Sequence, residues 1–212
     1  MFRPPAILKA LLPALLALGL FVRAPAAHAD KLTSIESEQL GRGETVIREN
    51  TWEPGYSARY IGGVTYTIVD ASAPETAGVL EDVASFRRVL PRTKRVKLVS
   101  IEPNGDRLVE LASGTALMEA EYTLRVRNYP ARREVRFWLE RSRPHEIDDA
   151  FGYFRVEPIT GSGGEPRTLL TYAILVDIGP GIVRDLFEER VRAALLSVPQ
   201  LVRRYVAEVR HP

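Results

Sequence analysis

Residues 182–209, IVRDLFEERVRAALLSVPQLVRRYVAEV, decide how the rest of the chain is read. Val183, Leu186, Phe187, Val191, Ala194, Leu195, Val198, Val202, Tyr205, Val206 and Val209 recur at three- and four-residue spacing, which marks one apolar helical stripe. Arg184, Asp185, Glu188, Glu189, Arg192, Arg203 and Arg204 take much of the other side. Pro199 lacks an amide hydrogen, so a kink or a split is expected there. A stripe of this length is not stable in water and requires a large apolar surface to lie on.

That surface is announced upstream, where the pattern changes from helical to period two. Residues 60–69, 96–102, 107–112, 116–128, 134–142, 151–158 and 168–177 are predicted strands, rich in β-branched and aromatic residues. Pro103-Asn104-Gly105-Asp106, Asn128-Tyr129-Pro130, Ser142-Arg143-Pro144 and Gly161-Ser162-Gly163-Gly164 separate the later ones as turns, so these strands form an antiparallel meander. Met118, Tyr122, Leu124 and Val126 alternate with Glu119, Glu121, Thr123, Arg125 and Arg127, and Val135, Phe137 and Leu139 with Glu134, Arg136, Trp138 and Glu140. One face of the sheet is therefore covered and the other wet. The inward face beyond Gly152 is not decided by this pattern.

Between the first strand and the meander, Ser72 can cap a helix, Pro74 suits its first turn and Glu75 complements its dipole. Val79, Leu80, Val83, Phe86 and Leu90 carry the helical stripe until Pro91, and Gly78 predicts a break into two short helices. Residues 30–59 lie outside this core pattern. Gly41 and Gly43 oppose a helix starting at Ser34, residues 45–48 could form a short edge strand, and Trp52-Glu53-Pro54-Gly55 reads as a turn.

Residues 1–29 read as a signal peptide. Arg3 and Lys9 supply a positive start, residues 10–22 an apolar run, and Ala27-His28-Ala29 the small residues before cleavage, with Asp30 as the mature start. The run carries Pro13, is followed by Arg23, and falls short of the ~20 residues needed to span a bilayer. The expected location is periplasmic or secreted. No cysteine is present, which excludes disulfides, thiolate metal sites, a cysteine nucleophile and a lipid anchor on a terminal cysteine. The leader holds three of the 29 basic residues and none of the 27 acids, so the remaining 183 residues change the formal balance from +2 to −1. Nucleic acid is not an expected partner. A chain of that length supplies one domain with a sizeable core.

Three stretches then carry a resemblance. Val69-Asp70-Ala71-Ser72-Ala73-Pro74-Glu75-Thr76, with residues 80–91 behind it, is similar to a D-A-P-x-E opening of a helix pair closed by an aromatic and a proline. Thr168-Leu169-Leu170-Thr171-Tyr172 is similar to a last strand reading T-x-[VL]-x-Y, and Gly179-Pro180-Gly181-Ile182-Val183 opens the final helix. In this order they resemble the START / Bet v 1-like (SRPBCC) superfamily, in its polyketide cyclase and coenzyme Q-binding-like branch. The likeness covers residues 60–209. The family often places a tryptophan in the first helix, and here Ala77-Gly78-Val79 stands instead. The resemblance implies an α+β helix-grip fold: a curved antiparallel sheet of six or seven strands wrapped around the long C-terminal helix, with two short helices after the first strand. It also implies an elongated apolar cavity between sheet and helix.

The expected lining is Phe86, Leu90, Tyr122, Leu124, Phe137, Leu139, Phe154, Tyr172, Ile174, Leu186 and Phe187, with Tyr122 and Tyr172 as orienting groups because a buried phenol seeks a partner. No catalytic residue, cofactor or metal is expected. His145 stands without a G-x-S-x-G elbow, and His145-Glu146-Ile147-Asp148-Asp149 reads as a solvated loop. Residues 161–164 lack the helix and lysine of a phosphate loop. Arg92, Lys94, Arg95 and Lys97 form a basic run, read as a solvated strand edge before a transient contact with anionic membrane head groups. The expected function is a monomeric, exported binding protein for an apolar small molecule such as a lipid, quinone or polyketide-like compound. The alternatives are a polyketide cyclase/aromatase-like enzyme using the same cavity, and a non-catalytic subunit making contact through residues 30–59.

Overall fold

The computed structural model describes residues 31–55, 58–114 and 119–210. The expected leader over residues 1–29, Asp30 and Met118 lie outside them. Eight strands make one antiparallel sheet: β1 (Val46–Trp52), β2 (Tyr60–Val69), β3 (Thr93–Ile101), β4 (Arg107–Gly114), β5 (Glu119–Tyr129), β6 (Glu134–Leu139), β7 (Asp149–Thr160) and β8 (Pro166–Asp177), in spatial order β1-β2-β8-β7-β6-β5-β4-β3. The meander from β3 to β8 returns beside β2, where Thr65 lies opposite Tyr172. The expectation of six or seven strands is corrected to eight. The added strand is β1, expected only as a short edge strand over residues 45–48; polar Glu49, Asn50 and Thr51 hide its run through Trp52, where the turn is expected to begin.

Residues 31–52 are built into the fold. Helix α1 (Ser34–Gly41) forms because Thr33 and Glu36 make a reciprocal capping box. The two glycines end this helix instead of preventing it, with Gly43 at φ 80°. Leu40 then packs with Val46, Val64, Tyr66 and Ala173 on the outer face of the sheet. This explains why nearly all of β2 is buried while later strands alternate.

Helix α2 (Ala73–Glu81) starts with the same device, Ser72 and Glu75 capping each other with Pro74 in the first turn. The break in the helical stretch falls at Asp82 and not at Gly78: the Asp82 carboxylate accepts from the Ala84 amide at 2.9 Å and starts a 3-10 turn leading to helix α3 (Phe86–Val89). The C-terminal stretch divides into α4 (Ile182–Leu196) and α5 (Val198–Arg210), as Pro199 requires. The joint is hydrogen-bonded, since the Thr65 hydroxyl donates to the Leu196 carbonyl at 3.1 Å and Ser197 Oγ to the Ala194 carbonyl at 2.7 Å. Val198, Val202 and Val206 are buried against the sheet side. Among the described residues no helix is long and apolar enough to cross a membrane.

Candidate ligand-binding cavity

The inward faces of β4 to β8 and the helices above them do not meet everywhere, and a cavity of about 410 Å³ remains. The sheet side carries Tyr122, Leu124 and Val126 from β5, Val135 and Phe137 from β6, Ala150 and Phe154 from β7, and Tyr172, Ile174 and Val176 from β8. These residues alternate along their strands, as side chains on one face must. Leu80, Phe86, Val89 and Leu90 close one side from α2 and α3. Val191, Ala194, Leu195 and Val198 close another from α4 and α5, at the spacing of a single helical face.

Gly152 settles the face of β7 that the sequence left open. It lies opposite Ile174, and a Cβ there would approach the Phe137 ring to 2.5 Å, so the ring occupies the space over the glycine. The neighbouring Phe154 ring stacks on Tyr172 at 4.6 Å between centroids, and Phe137 on Tyr172 at 6.1 Å. The wall is thus apolar and partly aromatic, and its volume lies inside the ~300–1,000 Å³ range of small-molecule sites.

The mouth is polar. Arg92, Glu119 and Glu146 are the charged wall residues, and all three are exposed. Glu119 pairs with Lys94. Glu146 accepts from the Glu121 amide at 2.7 Å. Arg92 sits at φ 55°, a left-handed conformation uncommon outside glycine, and its carbonyl accepts from the Gly114 amide at 3.0 Å. Inside, the Tyr122 hydroxyl meets Ser113 Oγ at 3.3 Å, and burial pushes its pKa up. Tyr172 is 2% exposed, and burial holds its phenol well above the ordinary tyrosine range. No hydrogen-bond partner for that hydroxyl lies among the described residues. It remains a neutral donor at physiological pH.

Of the eleven residues expected on the wall, the structure brings eight together there: Phe86, Leu90, Tyr122, Leu124, Phe137, Phe154, Tyr172 and Ile174. Three lie elsewhere. Leu139 is buried in the main apolar cluster without reaching the cavity. Leu186 is 67% exposed, because it falls one residue off the row that Val191, Ala194, Leu195 and Val198 occupy. Phe187 is half-buried one turn before Val191, under the Arg190 guanidinium at 5.7 Å. Val126 and Val135 also line the wall, at positions that the alternation of β5 and β6 places inward. The mouth residues come from distant parts of the chain, Arg92 before β3, Glu119 at the start of β5 and Glu146 between β6 and β7, which no periodicity links.

The opposite face of the sheet carries ion pairs. Asp106, fully buried, is gripped by Arg127 at 2.5 Å and Arg125 at 3.2 Å. The Arg127 and Arg125 guanidiniums hold its carboxyl at about 2 against the cost of desolvation. Glu134 pairs with Arg136 at 2.8 Å and Arg155 at 2.7 Å. His145 Nδ1 lies 2.8 Å from the Ile147 carbonyl. Among the described residues no three His, Asp or Glu side chains are placed to hold a metal. A second space of about 490 Å³ lies between α2 and the β5–β6 turn, with Pro74, Pro130, Pro158 and Arg133 among its lining. Among the described residues its lining contains no aromatic ring.

No protein-family model matches the sequence, and no curated protein matches it. Solved structures are similar in fold. A protein from Thermus thermophilus superposes at a TM-score of 0.57 and 11% identity, over 69% of this chain and 97% of that one. A STAR-related lipid transfer protein from Xanthomonas axonopodis superposes at 0.57 and 14%, over 75% and 98%. A di-domain aromatase/cyclase of the steffimycin biosynthetic pathway superposes at 0.52 and 12%, over 84% of this chain and 55% of that one. With its eight-stranded curved sheet and C-terminal helices, the molecule has the START-like helix-grip fold.

Proposed function

We propose that this protein is a non-catalytic binding protein that holds or carries an apolar small molecule, of lipid, quinone or polyketide-like size, between the sheet and its C-terminal helices. The observation that carries the reading is the cavity of about 410 Å³ with an apolar, partly aromatic wall and a polar mouth. Affinity would come from apolar surface removed from water, at about 25 cal/mol per Å². Export is part of the same proposal and rests on the leader pattern of residues 1–29.

The resemblance to an aromatase/cyclase fold also admits a cyclase reading. It has less support, because among the described residues the charged members of the wall, Arg92, Glu119 and Glu146, are all at the mouth. Native mass spectrometry of gently purified protein, combined with uptake of a fluorescent fatty acid, tests the binding reading. A co-purifying small molecule or saturable uptake is expected. An empty protein that takes up no probe would overturn it.

A further inference from the structure

The polar side chains on the cavity wall are not equivalent. Thr93, Ser113, Tyr122, Glu119 and Glu146 each have a partner in this chain, and Arg92 is exposed to water. Tyr172 is both buried and without a hydrogen-bond partner among the described residues. Its ring cannot swing away to find one. Phe154 lies against it at 4.6 Å with an interplanar angle of 28°, and Phe137 at 6.1 Å with 27°. Tyr172 borders the cavity, so a ligand acceptor placed at its hydroxyl gains a hydrogen bond without displacing any protein contact.

We propose that the Tyr172 hydroxyl is the polar recognition point of the cavity, and that the ligand is a neutral, largely apolar molecule bearing a ketone, quinone or ester carbonyl at its inner end. This rests on the binding reading above and narrows it. Other ligand chemistries fit the same place less well. A pure hydrocarbon leaves the phenol unpaired. A carboxylate beside Tyr172 would be a buried charge without a counter-ion, since among the described residues the cation on the wall is Arg92, at the mouth. A ligand hydroxyl would bring a second hydrogen that needs an acceptor of its own.

Three probes of nearly one shape test this: acetylnaphthalene, ethylnaphthalene and naphthoate, titrated by their fluorescence into the full chain and into Tyr172→Phe. The native protein is expected to bind the ketone about three- to tenfold more tightly than the hydrocarbon, the size of one net hydrogen bond. The carboxylate is expected to bind weakest. Tyr172→Phe keeps the stacked ring and removes the hydroxyl, so the ratio of ketone to hydrocarbon affinity should fall to about one. A native protein that binds hydrocarbon and ketone equally, a variant that keeps the preference, or tightest binding of naphthoate would each overturn the proposal and leave the binding reading standing. Failure of all three probes to bind would overturn both. Should Tyr172→Phe not fold, the carbonyl stretching band of acetylnaphthalene bound to the native protein decides: a shift below its position in dry hydrocarbon supports the hydrogen bond, and no shift overturns it.

Discussion

One sheet is packed in two different ways. At the β1–β2 end its inner surface lies under α4 and α5 and its outer surface under α1, so β2 is buried on both sides. Across β4 to β7 the inner surface borders the cavity and the outer surface carries ion pairs around Asp106 and Glu134. The backbone pattern is the same throughout. What differs is where the helices lie, and the space they leave uncovered is where a ligand can replace side chains.

The largest expected effect breaks the close-packed half. Gly63 has φ 149°, and a Cβ there would stand 2.1 Å from the Arg48 carbonyl oxygen. Gly63→Ala should cost about 4 kcal/mol in denaturant unfolding, because strain and backbone overlap add. A loss below about 1 kcal/mol would show that β1 and β2 are less tightly held than described.

Next comes the outer face. Asp106→Asn, which removes the charge facing Arg125 and Arg127, should cost about 3 kcal/mol. The native carboxyl titrates at about 2, below its ordinary value of 3.8. A depressed pKa gives stabilisation that is complete above pH ~4 and lost as pH falls toward about 2, worth about 2 kcal/mol. The pH dependence of unfolding should therefore flatten between about pH 4 and 2 in Asp106→Asn. An unchanged slope would remove Asp106 from that account.

A smaller effect is expected at the helix joint. Thr65→Val keeps the shape but leaves the buried Leu196 carbonyl without its donor, at a cost of about 1–2 kcal/mol. The smallest change in stability should come from filling the open half. Val126→Phe adds a ring toward the cavity and should alter stability by less than about 1 kcal/mol, because space for the ring already exists. The same variant should lose most probe uptake. A large loss of stability with uptake intact would reverse the contrast between the two halves.

Much of this contrast was legible in the chain. The period-two runs placed Tyr122, Leu124 and Phe137 on the covered face, and the last amphipathic segment identified what covers it. The split at Pro199 follows from the missing amide. Other features depended on tertiary context. β1 reads as polar because its exposed positions outnumber its buried ones, and α1 is two turns held by a capping box too short to stand out. Leu186 belongs to a wide apolar stripe whose edge faces water, which spacing alone does not resolve. The lone donor of Tyr172 is invisible in sequence, since an absent partner can be recognised only when every neighbour is placed.

The strand that was hardest to see also governs how copies of the molecule meet. Without β1, the rim of the sheet would be β2, whose Gly62-Gly63 pair offers bare main chain to any passing strand. β1 occupies those donors and acceptors with the protein's own chain, pairing Glu49 with Gly63 and Asn50 with Gly62. The rim exposed in its place displays Glu49, Asn50 and Thr51, with Arg48 beside them. Charged and polar groups at a border discourage edge-to-edge aggregation, so the segment that covers the glycines also protects solubility.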